Sequence, residues 1–227
     1  MIETAWPSSR EELIAEQERL GRADPDPWSP VGQLAVAGCF VCFARGPSGP
    51  GAPGDPGWAG AALVRGRSLA GSAAVSGPAG AAYDAGLLAL REGPLLEAAV
   101  RGLAAVADVL LVDATGRDHP RRAGLALQLG AVLALPTVGV THRPLAATGD
   151  WPPDERGAAR PLVLRDELVG YWLRTRAGTR PLAVHAAWRT NPDTAVAVVL
   201  AAIERTRTPE PLRQARRLAR LARARAG

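Results

Sequence analysis

Lysine is absent from this chain: all 27 basic residues are arginine. With 25 glycines, 20 prolines and abundant alanine, this reads partly as a coding bias, so the number of arginines alone assigns no function. Cysteine is nearly absent. Cys39 and Cys42 cannot by themselves build a disulfide scaffold or a zinc site, which needs about four ligands. No apolar run reaches the ~20 residues that span a bilayer, so a transmembrane helix is excluded, and no signal-peptide pattern precedes the first helix. The cytoplasm is the expected location and no membrane partner is expected. Internal repeats and a second-domain break are missing too, and 227 residues fit one α/β domain, residues 1–227. What is present is ordinary for a globular fold, with 47% hydrophobic and 22% charged residues. The net charge of +5 favours a polyanionic partner through phosphate attraction.

Local patterns predict the elements in order. Ser9 as a cap, Glu12 three residues on, and Leu13 and Leu20 on one face predict a first helix. Asp24–Pro30 is a turn-rich connector. Gln33–Phe43 reads as a first, central strand. Gly46–Gly57 reads as a long, mobile loop, and Trp58–Val64 and Ser68–Ser76 as two more strands of an antiparallel meander. A helix is expected over Leu87–Ala107, with Pro94 early enough to be tolerated. Thr137–Val140, Leu162–Leu164, Leu168–Leu173 and Leu182–Ala186 are further strands, and Asp193–Ile203 a helix. Residues 206–227 form an Arg-rich tail, either a nucleic-acid contact or a loose terminus.

The chain is organised around Asp108–Leu125. Val109–Val112 is a continuous apolar run, the pattern of a strand buried on both faces, and it ends in Asp113. Gly116, His119, Arg121 and Arg122 follow before a helix pattern over Ala123–Leu135. An acid at the carboxyl end of a buried strand marks where open α/β sheets place chemistry, although a cap or turn acid reads the same way.

This block resembles the central block of the endonuclease V family. There a strand ending V-D-G-x-G is followed by x-x-H-P-R-R-x-G, a helix, and P-T-[IV]-G-V. Asp113, Gly116, His119, Pro120, Arg121, Arg122, Gly124, Pro136, Thr137, Gly139 and Val140 stand at matching places. Gly86–Glu92 is similar to the family's G-F-L-x-F-R-E, and Pro209–Arg213 to its carboxyl-terminal signature. The resemblance implies an α/β, ribonuclease H-like fold with a central mixed sheet flanked by helices. It also implies a monomer that acts on inosine-containing DNA or RNA in nucleic-acid repair, cleaving 3′ to the inosine with Mg²⁺ or Mn²⁺. By the same resemblance, Asp113 and Glu92 are catalytic metal ligands and His119 is catalytic. Tyr83, from the strand-separating wedge, with Gly116, Arg121, Arg122 and His142, would contact nucleic acid.

Against that pattern the chain departs at its first strand. The family places an aspartate in A-G-[AVL]-D-V-[AGS]-[FY], whereas Ala37–Phe43 puts Phe40 there, and no acid lies between Asp26 and Asp55. Ala114 replaces a glycine of the base pocket, His142 a lysine, and Trp188 a histidine, where it could stack on a base. Metal-borne charge stabilisation contributes several kcal/mol, and each ~1.4 kcal/mol is tenfold, so losing one ligand costs roughly three orders of magnitude in rate. Three readings follow: a family member with reduced or lost cleavage; a nuclease with a metal site rebuilt from Asp113, Glu92 and Asp118; or a repurposed site using Cys42 and His119.

Overall fold

The computed structural model describes residues 6–44, 49 and 51–226. Ser9 caps α1 (Arg10–Arg22), its hydroxyl accepting the Glu12 N–H, and the helix buries Leu13, Gln17 and Leu20. Three strands follow as an antiparallel meander: β1 (Ala35–Phe43), β2 (Pro56–Arg65) and β3 (Ser68–Pro78). Part of the loop expected over Gly46–Gly57 lies outside the described residues, and its end belongs to β2. Then come α2 (Leu88–Arg101), β4 (Val109–Val112), α3 (Leu125–Leu133), β5 (Thr137–Thr141), β6 (Ala159–Leu164), β7 (Glu167–Leu173), β8 (Leu182–Ala186), α4 (Pro192–Ala201) and α5 (Glu210–Ala226).

The strands form one mixed sheet in the order β3-β2-β1-β4-β5-β8-β7-β6, with β1, β4 and β5 parallel and the remaining pairs antiparallel. The all-apolar VLLV of β4 follows from burial on both faces. Leu110 and Val112 join a core with α1, α2 and α3, while Val109 and Leu111 join one with α4 and α5. Asp108 starts the parallel pair, its carboxylate and its N–H both bonding the backbone of Ala35.

Three expectations change. The helix expected to run to Ala107 ends at Arg101, where Gly102 closes it. Pro94 sits at the seventh helical position rather than in the first turn. The Leu90 carbonyl it leaves unbonded abuts Gly80, whose N–H donates to Arg91 O at 3.3 Å. The Arg-rich tail is no loose terminus: α5 buries Pro211, Leu212, Ala215 and Ala219 against β1 and β2. Glycine makes that seat. A Cβ on Gly38 would lie 2.5 Å from Pro211 C, and one on Gly60 2.6 Å from Ala215 O.

Candidate active site

Parallel pairing of β1 with β4 sets Cys39 beside Val112, so the next residues, Phe40 and Asp113, stand abreast at the strands' carboxyl ends. Strand alternation turns Gly38, Phe40 and Cys42 toward α5. There Arg216 Nη2 donates to Asp113 Oδ2 at 2.8 Å, and its guanidinium lies 5.4 Å from the Phe40 ring centroid. Arg220, one turn on, lies 5.9 Å from the same ring. Arg216 Nε is buried and, among the described residues, has no hydrogen-bond partner. Sequence reading placed both arginines in a tail without connecting them to Asp113. Their i, i+4 spacing on a helix, which sets two guanidinia on one face, is the signal that could have found them.

Glu92 projects from α2 toward the same end of the sheet. Burial raises its carboxyl to about 7, the charge of Asp113 adds to the rise, and Arg91 opposes it. Arg91 itself is buried and committed to structure. It donates to Ala81 O at 2.6 Å, Ala52 O at 3.2 Å and Asp55 Oδ2 at 3.0 Å, with Phe43 beneath it at 4.0 Å.

Beside Asp113 is a cavity of about 130 Å³ lined by Tyr83, Gly86, Ala114, Thr115, His119 and Thr141. Ligand pockets usually measure ~300–1,000 Å³, so this one is a notch. Tyr83 is 52% exposed at its rim and Ala114 is buried in its wall.

Several expected contact residues face inward instead. His119 is buried: Nδ1 accepts the Arg121 N–H at 3.2 Å, which leaves Nε2–H to donate to Gly86 O at 3.0 Å. Burial lowers its pKa, so the ring is a neutral brace whose two nitrogens are both occupied, not a free acid or base. Arg121 joins the same knot, Nε donating to Gln17 Oε1 at 2.6 Å. Arg122 is ion-paired with Glu167 on β7. Gly116 is a packing residue, since a Cβ there would sit 2.2 Å from Ala186 O. Trp188 packs against the core of α3, and a Cβ on Gly130 would meet its Cβ at 2.4 Å. His142 is exposed, and its Nδ1 accepts from Arg207 Nη1 at 3.1 Å.

Asp118 is no ligand of a rebuilt centre. It is fully buried and accepts the N–H groups of Leu145 (2.6 Å), Ala146 (2.8 Å) and Ala147 (2.6 Å). His185 Nδ1 lies 3.6 Å from Asp118 Oδ2, and burial lowers this histidine to about 4 against the opposing pull of Asp118. The repurposed-thiol reading loses its pair as well. Burial raises the Cys42 thiol, with Arg223 and Arg220 opposing, and His119 is held against Gly86 rather than facing α5. Cys39 is buried, and its thiol is raised by burial and by Asp113 and Glu92.

The donor set does not fit Mg²⁺ or Mn²⁺. Hard divalent ions take about six oxygen ligands, several of them carboxylate. Among the described residues no three His, Cys, Asp or Glu side chains gather to hold an ion. Asp113 is bound by a guanidinium, Glu92 is pushed toward protonation, and Phe40 presents a ring where a third carboxylate would stand.

The family model for endonuclease V matches residues 55–217, beginning after β1 and so after Phe40. Endonuclease V from Streptomyces avermitilis is 35% identical over 225 residues, 97% of this chain and 95% of that one. Its crystal structure superposes with a TM-score of 0.87 and 33% identity over 98% of this chain and 96% of that one. Endonuclease V from Methanopyrus kandleri is 44% identical over 146 residues, 64% of this chain but only 63% of that relative's length. Endonuclease V from Ciona intestinalis, crystallised with a 24mer DNA containing an inosine followed by a ribo-adenosine, shares the fold (TM-score 0.79, 18% identity, 96% and 98% of the two chains). The α/β fold matches these structures, with their ribonuclease H-like core, as the resemblance implied. By a family match over most of its length and a relative aligned nearly end to end, this chain belongs to the endonuclease V family.

Proposed function

We propose that this chain is an endonuclease V whose nucleic-acid surface is kept while metal-dependent cleavage 3′ to inosine is strongly reduced or lost. The observation that carries the reading is the Phe40–Asp113–Arg216 arrangement, in which a guanidinium 2.8 Å from Asp113 already neutralises the acid a cation would need. In an active enzyme of this fold the ion would activate water and offset charge on the phosphate under attack. Here Asp113 holds Arg216, and burial pushes the Glu92 carboxyl up to about 7. The substrate class, inosine-containing DNA or RNA, comes from the family and from the inosine-bearing DNA in the Ciona complex. Tyr83, exposed at the rim of the notch, would meet the strand, as would His142, exposed beside Arg207 and next in sequence to Thr141 of the notch wall.

The test is cleavage of inosine-containing single- and double-stranded DNA and RNA in Mg²⁺ and in Mn²⁺. The expected wild-type rate is roughly three orders of magnitude or more below that of the S. avermitilis relative assayed alongside. Comparable rates, abolished by Asp113→Ala, would overturn the reading in favour of a rebuilt metal site.

A further inference from the structure

Guanidinium groups gather around Asp113. Arg216, Arg207 and His142 cluster there: burial lowers the pKa of both Arg207 and His142, the charge of Arg216 lowers both further, Arg180 adds to Arg207 and Asp113 opposes at His142. Arg207 is spent on structure, donating to Arg180 O at 2.6 Å, Pro181 O at 2.9 Å and His142 Nδ1 at 3.1 Å. Outward from Arg216, α5 and Thr208 line an open groove of about 470 Å³ that includes Arg217 and Arg220. Arg213, in the same groove, is paired with Glu210. Among the described residues neither Arg217 nor Arg220 has an acid within ion-pair distance.

Two features of this groove point to an anion. Arg216 gives one N–H to Asp113, while its Nε stays buried without an acceptor among the described residues, a state native structures seldom leave unfilled. Arg216 and Arg220 share one support, the face of Phe40, which holds two like-charged guanidinia side by side. Such a pair is stabilised by an oxyanion between them, because planar guanidinium donors match phosphate oxygens.

We propose that Arg216 and Arg220, seated on Phe40, form a metal-free binding site for a phosphodiester group of a nucleic-acid strand, Arg216 serving as a built-in cation beside Asp113. The inference rests on the proposed nucleic-acid function and adds how the phosphate is held without a divalent ion. Phe40 is then more than a lost ligand: its ring is the platform for the replacement cations. Restoring the acid alone does not restore an ion site, since Arg216 would pair with both carboxylates.

The experiment is fluorescence anisotropy of a labelled single-stranded, inosine-containing oligonucleotide with the full chain in EDTA, across a series of salt concentrations. Wild type is expected to bind in EDTA, with affinity changed less than about twofold by Mg²⁺ or Mn²⁺. Arg216→Gln and Arg220→Gln are each expected to weaken binding about tenfold and to flatten the log K against log salt slope by ~0.7, the loss of one phosphate contact on a single strand. Arg225→Gln, in the last turn of α5, is expected to change neither. A requirement for divalent ion, or wild-type binding by both groove variants, would overturn the inference. Because Arg216 lies in a packed helix, the more exposed Arg220 variant keeps the test valid if Arg216→Gln unfolds. Inorganic phosphate alone, followed by thermal shift, separates a free-anion site from a strand site: a phosphate shift without oligonucleotide binding overturns the strand assignment.

A second readout is Mn²⁺ binding by electron paramagnetic resonance. Wild type and Phe40→Asp should bind none, and Phe40→Asp/Arg216→Gln should bind it. An ion held by either of the first two proteins would refute the built-in cation. Cleavage by wild type would instead sink the functional reading, so the two failures are distinguishable.

Discussion

Asp113 and Asp118 are five residues apart in one loop, and the fold treats them oppositely. Asp113 ends a strand at the open edge of the site and is met by a side chain, Arg216, at 2.8 Å. Asp118 is fully buried and takes three backbone N–H groups from the segment after β5. A carboxylate answered by fixed backbone donors is structural, because removing it strands every donor at once. One answered by a side chain on another helix can exchange its partner. The lesson is that an acid's role is set by what faces it rather than by the motif it sits in.

The largest expected effect strains the structural side of that contrast. Asp118→Ala leaves three buried N–H groups without acceptors and should destabilise the fold by about 4 kcal/mol, lowering Tm by roughly 10 °C. Calorimetry showing a fall below 2 °C would erase the difference between the two acids.

Next in size is a pair of opposing pH effects. Burial raises the folded pKa of Glu92 to about 7 from an unfolded value near 4.5, so stability falls as pH rises from 4.5 to 7. His185 is lowered to about 4 from near 6.5, so its neutral form contributes stability that is lost as pH falls from 6.5 toward 4. The slopes oppose each other in wild type. Glu92→Gln should therefore stabilise by about 2 kcal/mol at pH 8, change little at pH 4, and expose a stability that climbs with pH between 4 and 6.5. Urea titrations at pH 4, 6 and 8 measure this, and a variant no more stable than wild type at pH 8 would contradict the placement of Glu92.

Gly38→Ala examines the seat of α5. A Cβ 2.5 Å from Pro211 C must push the helix outward, costing about 2 kcal/mol and moving Arg216 away from Asp113. Oligonucleotide affinity should fall together with stability. Unchanged affinity in a destabilised protein would detach the groove from the sheet.

Smallest is Arg122→Gln. The Arg122–Glu167 pair is partly exposed, so its loss should cost no more than about 0.5 kcal/mol and leave oligonucleotide binding unchanged. A tenfold loss of binding would return Arg122 to the nucleic-acid surface.

Much of the fold was legible because local rules suffice for it. The Ser9 cap, the meander alternation and the doubly buried VLLV each follow from hydrogen bonding or side-chain period. Apart from shifted element ends, what was missed is α5, a packed helix where the sequence offered an Arg-rich tail. The site was less legible. Glu92 and Asp113 face each other's charge at one end of the sheet, whereas His119 braces the loop to Gly86, Arg121 to α1 and Gly116 to β8. A motif records which residue types occur together, not whether they face a ligand or one another. His119 and Arg121 are committed to Gly86 and Gln17, partners 33 and 104 residues away.

By itself the sequence determined that no acid stands on the first strand, that every fixed cation is a guanidinium, and that a strand with the pattern of burial on both faces ends in Asp113. These follow from composition and from side-chain period, which need no knowledge of distant contacts. Only the tertiary structure decided that α5, more than a hundred residues on, lies across β1 and carries Arg216 onto Asp113 and Phe40. Two glycines on β1 and β2 permit that approach, and close packing between distant segments leaves no periodic trace in the chain.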